Sequence, residues 1–169
     1  VSLIVPDADP LIALSHVQLL DYLGTLFDRI VIPHAVWQEV CGNLTLPQAQ
    51  NIQTAVDSGL ITVNQTLLAL QQSIQTAFPN LDPGETEVLA LASADPNQTI
   101  VLIDDLAGRK AAKQLQLRLT GTAGIIIQAK QDGHIKQAVE TLSQLRSLGY
   151  RFSDTVMLTV ATACGETYP

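Results

Sequence analysis

Five short runs rich in aliphatic and β-branched residues punctuate the chain at Ser2 to Val5, Arg29 to Ile32, Leu60 to Val63, Thr99 to Ile103 and Leu117 to Leu119. Their composition and length suit strands. The segments between them carry apolar residues at helical spacing. Leu11 to Leu23 reads as one helix, Pro33 opens another to about Cys41, and Pro47 opens a third that ends at Ser58-Gly59. Leu67 to Phe78 reads as a helix or a mobile excursion; Asp82 to about Ala94 and Asp105 to Gln116 read as helices. The last part holds Thr122 to Gln131, Ile135 to Leu148 and Ser153 to Cys164, all helical in pattern with no further strand. Strands alternating with helices imply a parallel sheet with right-handed crossovers and helices on both faces.

The length of 169 residues fits one domain over 1–169, large enough to bury a substantial core. With 47% hydrophobic and 15% charged residues the chain is globular in composition, and no run approaches the roughly 18 to 20 apolar residues of a membrane span. The apolar start Val1 to Val5 has no basic region before it and is interrupted by Pro6, Asp7 and Asp9, so it is expected to be a first strand in a cytoplasmic protein. Cys41 and Cys164 are far apart and show no CxxC pattern, which predicts buried thiols. The net charge of −7 opposes broad binding to nucleic acid, because affinity for phosphate backbones comes largely from Lys and Arg. Any such role must be local. Arg109, Lys110, Lys113 and Arg118 form the one basic cluster, directly after Asp105, and on a helix Arg109 and Lys113 share a face.

Acids supply the chemistry. Asp7 follows the first strand and Asp105 the fourth, and ligands of open parallel sheets bind at the carboxyl ends of strands. Asp7 and Asp9 flank Ala8, so both could reach one cleft, although Asp9 also suits the N-cap of a helix entered at Pro10. Asp104 and Asp105 are adjacent and point in different directions if the strand geometry continues; Asp105, which opens the helix carrying Arg109 and Lys113, is the preferred site residue. Glu85 stands three residues after Asp82 in a capping-box pattern, which is compatible with projecting into a cleft. Glu39 alone says little. Hard cations such as Mg²⁺ take oxygen ligands and keep several waters, so a few carboxylates suffice. His16, His34 and His134 lack the spacing of a zinc site.

The stretches Asp7-Ala-Asp-Pro-Leu-Ile-Ala-Leu, Ile32-Pro-His-Ala-Val-Trp-Gln-Glu-Val, Gly84-Glu-Thr-Glu-Val-Leu-Ala-Leu-Ala, Leu102-Ile-Asp-Asp-Leu-Ala-Gly-Arg and Gly121-Thr-Ala-Gly occur in this order over nearly the whole chain. Together they resemble the PIN-domain superfamily of metal-dependent ribonucleases, and most closely its short, little-characterised PIN-like proteins. The resemblance implies a three-layer α/β/α sandwich with a five-stranded parallel sheet. It implies Mg²⁺ or Mn²⁺ as cofactor and single-stranded RNA as substrate, often in the toxin of a toxin–antitoxin pair. It matches Asp7, Glu39, Glu85 and Asp105 to the family's acidic cluster, and it is what raises Glu39 to a candidate. Metal ligation then falls to Asp7, Glu85 and the Asp104-Asp105 pair, and RNA backbone contact to Arg109 and Lys113. One departure is Asp9, where a small hydroxyl residue is expected.

Other readings remain open on the sequence. Asp7-x-Asp9 and Asp104-Asp105 also suit a haloacid-dehalogenase-type phosphatase, with Asp7 as nucleophile and Asp9 as acid. Against it, Leu11 stands where a Thr is expected, and no lysine precedes Lys110. A receiver domain meets a similar objection, since no lysine follows a strand where its phosphoryl site would need one. A PIN-like binding or regulatory module would use the apolar residues Val156, Met157, Val160 and Ala161 toward an antitoxin protein or a second copy, unless these are core.

Overall fold

The computed structural model describes residues 2–169; Val1, the first residue of the opening apolar run, lies outside the described residues. The β-branched runs form β1 (Leu3–Pro6), β2 (Arg29–Pro33), β3 (Ile61–Asn64), β4 (Thr99–Leu102) and β5 (Arg118–Thr120). They pair in the order β3-β2-β1-β4-β5, every pair parallel. Ile4 and Val5 of β1, Val31 and Ile32 of β2 and Val101 and Leu102 of β4 are fully buried, as strands covered on both faces require. The three-layer α/β/α sandwich expected from the sequence is the fold.

Helices alternate with the strands as α1 (Ala8–His16), α2 (Leu20–Leu26), α3 (His34–Cys41), α4 (Pro47–Asp57), α5 (Leu68–Ala77), α6 (Pro83–Ala94) and α7 (Leu106–Gln114). The single helix expected over Leu11 to Leu23 is two. Gln18 breaks it with φ 60, while the Leu19 N–H bonds the Leu14 carbonyl and the Gln18 N–H bonds that of Ser15. This is a Schellman ending, normally built on glycine. Asp9 is not the N-cap of this helix either: α1 begins at Ala8, Asp7 holds the cap position, and Asp9 lies in the first turn. Leu67 to Phe78 resolves as the helix α5, with Ile74 its buried residue.

The topology positions the site. From β1 the chain steps outward to β2 and β3, then crosses back to β4 on the other side of β1 and outward again to β5. The reversal makes the β1/β4 boundary a topological switch point, where a crevice opens at the strands' carboxyl ends. The Asp7 N–H donates to the Leu102 carbonyl at 2.9 Å, fixing the residue after β1 to the last residue of β4.

The chain divides into two compact units, Val1–Thr120 with the whole sheet and Gly121–Pro169. The second is built from α8 (Thr122–Gln131), α9 (Ala138–Ser147) and α10 (Asp154–Cys164), each packed on the other two. Met157, Val160 and Ala161 of α10 are buried and Val156 is half-buried, so the apolar stripe of this helix is largely core. Glu166 accepts from the Ala138 and Val139 N–H groups, both at 2.8 Å, supplying the cap that Gln137 does not provide at the start of α9. Cys41 is buried and Cys164 only half-buried; both are free thiols. No helix among the described residues is long and apolar enough to cross a membrane.

Candidate functional site

Three aspartates begin helices at the carboxyl edge of the sheet, and their side chains act differently. Asp82 caps α6: its Oδ1 accepts the Glu85 N–H at 2.7 Å, and Glu85 Oε2 accepts the Asp82 N–H at 3.0 Å. Asp105 caps α7 through Oδ2, which accepts from Ala107 at 2.8 Å and Gly108 at 3.2 Å. Asp7 holds the same position at α1 but makes no side-chain capping bond. It is 8% exposed and Glu85 7%. The Ala8 amide is the one backbone group that lowers the Asp7 pKa, which leaves a buried carboxylate with little to offset its desolvation.

Glycines create the space the acids face. A methyl group placed on Gly84 would lie 3.3 Å from Asp82 Oδ1, 3.3 Å from Glu39 Oε2 and 3.6 Å from Asp7 Oδ1. One placed on Gly108 would lie 3.3 Å from Glu85 Oε1, and Asp105 Oδ2 accepts the Gly108 N–H at 3.2 Å. The structure therefore gathers Asp7, Glu39 and Asp82 over Gly84, and Glu85 and Asp105 beside Gly108. Asp7 and Glu85 form the buried floor. Asp9, Glu39, Asp82 and Asp105 form an exposed rim, with Asp104 half-buried. A groove of about 310 Å³, lined by Ala35, Gln38, Glu39, Asp82, Pro83 and Gly84, opens beside the cluster.

The fold agrees with the comparison of the sequence to protein families, in which residues 3–166 match the family described as DUF3368: PIN domain. The chain belongs to the PIN-domain superfamily. Its fold is of nuclease type. No curated protein matches the chain.

Electrostatics single out the floor of this PIN domain. The Asp7 carboxyl is pushed up to about 7, chiefly by burial and further by Asp82, Glu85 and Glu39, with the Ala8 amide opposing. Glu85 is pushed up to about 7 by burial, with the Asp82 amide opposing and Asp82 and Asp105 adding to the rise. Burial raises Asp9, aided by Asp104, Asp82 and Asp105, and it raises Glu39, aided by Asp82 and Asp9. Desolvation and mutual repulsion both penalise the charged forms. Asp82, read from the sequence only as a cap, thus acts on Asp7, Asp9, Glu39 and Glu85. The Asp-x-x-Glu spacing that revealed the capping box gave no sign of that second role.

The basic residues lie apart from this floor. Arg109 is half-buried and donates to the Ile103 carbonyl at 2.8 Å, with no ion pair to Asp105 among the described residues. Lys113 is exposed in the last turn of α7, roughly 12 Å along the axis from Asp105 at 1.5 Å per residue. Another element caps α3, the helix that carries Glu39: Pro33 can offer no side-chain cap, and Glu87 of α6 accepts the Ala35 N–H at 3.0 Å instead. No local pattern marks this contact, which spans 52 positions.

The donor set suits a hydrated divalent cation. Among the described residues no three acidic, histidine or cysteine side chains form a ready-made ligand set. Mg²⁺ takes only one or two carboxylates directly and keeps several waters, and the oxygens of Asp82, Glu39 and Asp7 that approach Gly84 are of the type such an ion takes.

Proposed function

We propose that this PIN domain is a divalent-metal-dependent endoribonuclease acting on single-stranded RNA, in the role of the toxin of a toxin–antitoxin pair. The observation that carries the reading is Asp7, buried at the switch point, bonded to no cap, and facing Gly84 with Glu39 and Asp82. Asp7, Glu85 and Asp105 would hold Mg²⁺ or Mn²⁺, with Asp104 as the neighbouring donor. Such an ion lowers the pKa of a bound water and neutralises charge on a phosphodiester.

The remaining functions fall to the chain itself. Asp7 and Glu85, pushed up to about 7 without metal, would give up their protons on taking the ion, so its binding should strengthen as pH rises through neutrality. Glu39 and Asp82 extend the negative rim and would repel a phosphate that arrived without a counter-ion. Lys113, exposed one helix turn beyond Arg109, would contact the RNA backbone. The test is cleavage of a varied single-stranded RNA panel by the purified protein with Mn²⁺. Slow, metal-dependent cutting that Asp7→Asn and Asp105→Asn each abolish supports the proposal. Protein stripped of any bound partner that leaves all RNA intact would favour a PIN-like binding module, and release of phosphate from monoesters would favour a phosphatase.

A further inference from the structure

Asp82 stands between the two groups of acids. Its Oδ1 lies over Gly84 with Asp7 and Glu39, and the same oxygen accepts the Glu85 N–H. Its backbone is held from both sides. Its N–H donates to Glu85 Oε2, and its carbonyl accepts the Thr86 N–H at 3.0 Å and the Thr86 hydroxyl at 2.8 Å, Thr86 itself being buried.

This reciprocal cap has a consequence for Glu85. One carboxylate oxygen, Oε2, is committed to the backbone of residue 82. Oε1 remains, and it lies beside Gly108. A buried glutamate has several rotamers, and ordering one costs side-chain entropy. The cap meets that cost before any ligand arrives.

We propose that Asp82 is a positioning residue of the acidic site, which fixes Glu85 so that Oε1 alone is presented to a bound cation. The proposal rests on the metal-dependent reading above. The Oε2 bond comes from the backbone of residue 82 and survives substitution; the side chain adds the Oδ1 bond that seats the Glu85 backbone for it, and that acceptor and the charge can be separated by substitution. Asn and Ser still accept the Glu85 N–H but carry no charge. Ala and Gly carry neither acceptor nor charge, and Gly preserves a helix start nearly as well as a capping side chain.

Mn²⁺ binding to the whole chain, followed by calorimetry below the melting temperature of every variant, decides the matter. Loss of one rim charge in Asp82→Asn and Asp82→Ser should weaken binding about threefold. Loss of the acceptor in Asp82→Ala and Asp82→Gly should weaken it by about thirtyfold or more. Rescue by Asn and Ser relative to Gly supports positioning, since Gly leaves the helix start intact. Equal weakening in all four variants would show that only charge matters and would overturn the proposal. Unchanged affinity in Asp82→Gly, or in an Asp82→Ala protein with a lowered melting temperature, would reduce the cap to helix stability and also overturn it. Wild-type protein that binds no Mn²⁺ would defeat the metal-dependent reading and this inference together. Wild-type protein that binds Mn²⁺ without cutting RNA would defeat the ribonuclease reading alone, and the ranking of the variants would still decide positioning.

Discussion

A single missing methyl group shapes the site. Gly84 lies in the first turn of α6, and a side chain there would meet the oxygens of Asp82 and Glu39 at 3.3 Å, closer than ordinary contact. Gly84→Ala should therefore displace carboxylates without disturbing the core. Folding stability should stay within about 1 kcal/mol of wild type, because alanine favours helix. Mn²⁺ affinity should drop about tenfold, equivalent to about 1.4 kcal/mol, as calorimetry beside a denaturant melt would show. At this scale the sequence was legible where a residue type has few uses. Asp7 and Asp105 after strand ends are positions at which ligands of parallel sheets gather. Asp82 was not legible in the same way, because an aspartate three residues before a glutamate satisfies the rules of a helix cap completely, and its charge acts through space on residues the spacing does not connect.

Arg109 shows how an element can claim a residue that charge patterning assigns to a ligand. Its guanidinium closes the Ile103 carbonyl beyond the end of β4, where an unsatisfied acceptor would cost about 1–3 kcal/mol. Arg109→Ala should lower stability by about that amount in urea denaturation. Lys113→Ala should leave stability unchanged and weaken RNA binding, with a shallower salt dependence. A second test concerns α3. Glu87→Ala removes the carboxylate that caps this helix from α6 and should cost about 1 kcal/mol. Mn²⁺ affinity should also fall as Glu39 loses its fixed platform, and an unaltered calorimetric isotherm would separate α3 from the site. Strand positions were readable to within about one residue, since β-branched runs have little alternative. The helix ends at Gln18 and Gln116 were hidden, because both residues take left-handed backbone, at φ 60 and 58, where glycine is the usual signal. The Glu87 contact was hidden for another reason: nothing local in a sequence marks a cap supplied from another helix.

The acidic floor should make the stability of the molecule depend on pH. Asp7 and Glu85 titrate at about 7 in the folded chain, against about 4 when unfolded. Between these values the folded state holds protons that the unfolded state has released, so its stability must fall as pH rises. Metal-free protein should lose stability from about pH 4 to about pH 7 and change little above, as far as these two groups decide it. Asp7→Asn should flatten this slope, gain roughly 1–3 kcal/mol at pH 8 without metal, and lose the stabilisation that Mn²⁺ gives wild type. Thermal melts across pH, with and without Mn²⁺, would check all three. An equal slope in wild type and variant would mean that Asp7 ionises normally. The C-terminal unit holds a different kind of dependence, set by the order in which the chain is made. The carboxylate that caps α9 belongs to Glu166, 28 positions after Ala138 and beyond α10. During synthesis α9 therefore emerges with its first amides unsatisfied, and it acquires its cap only after the whole of α10 has been added. A released chain truncated before Glu166 should leave α9 open to protease, and one that includes that residue should protect it.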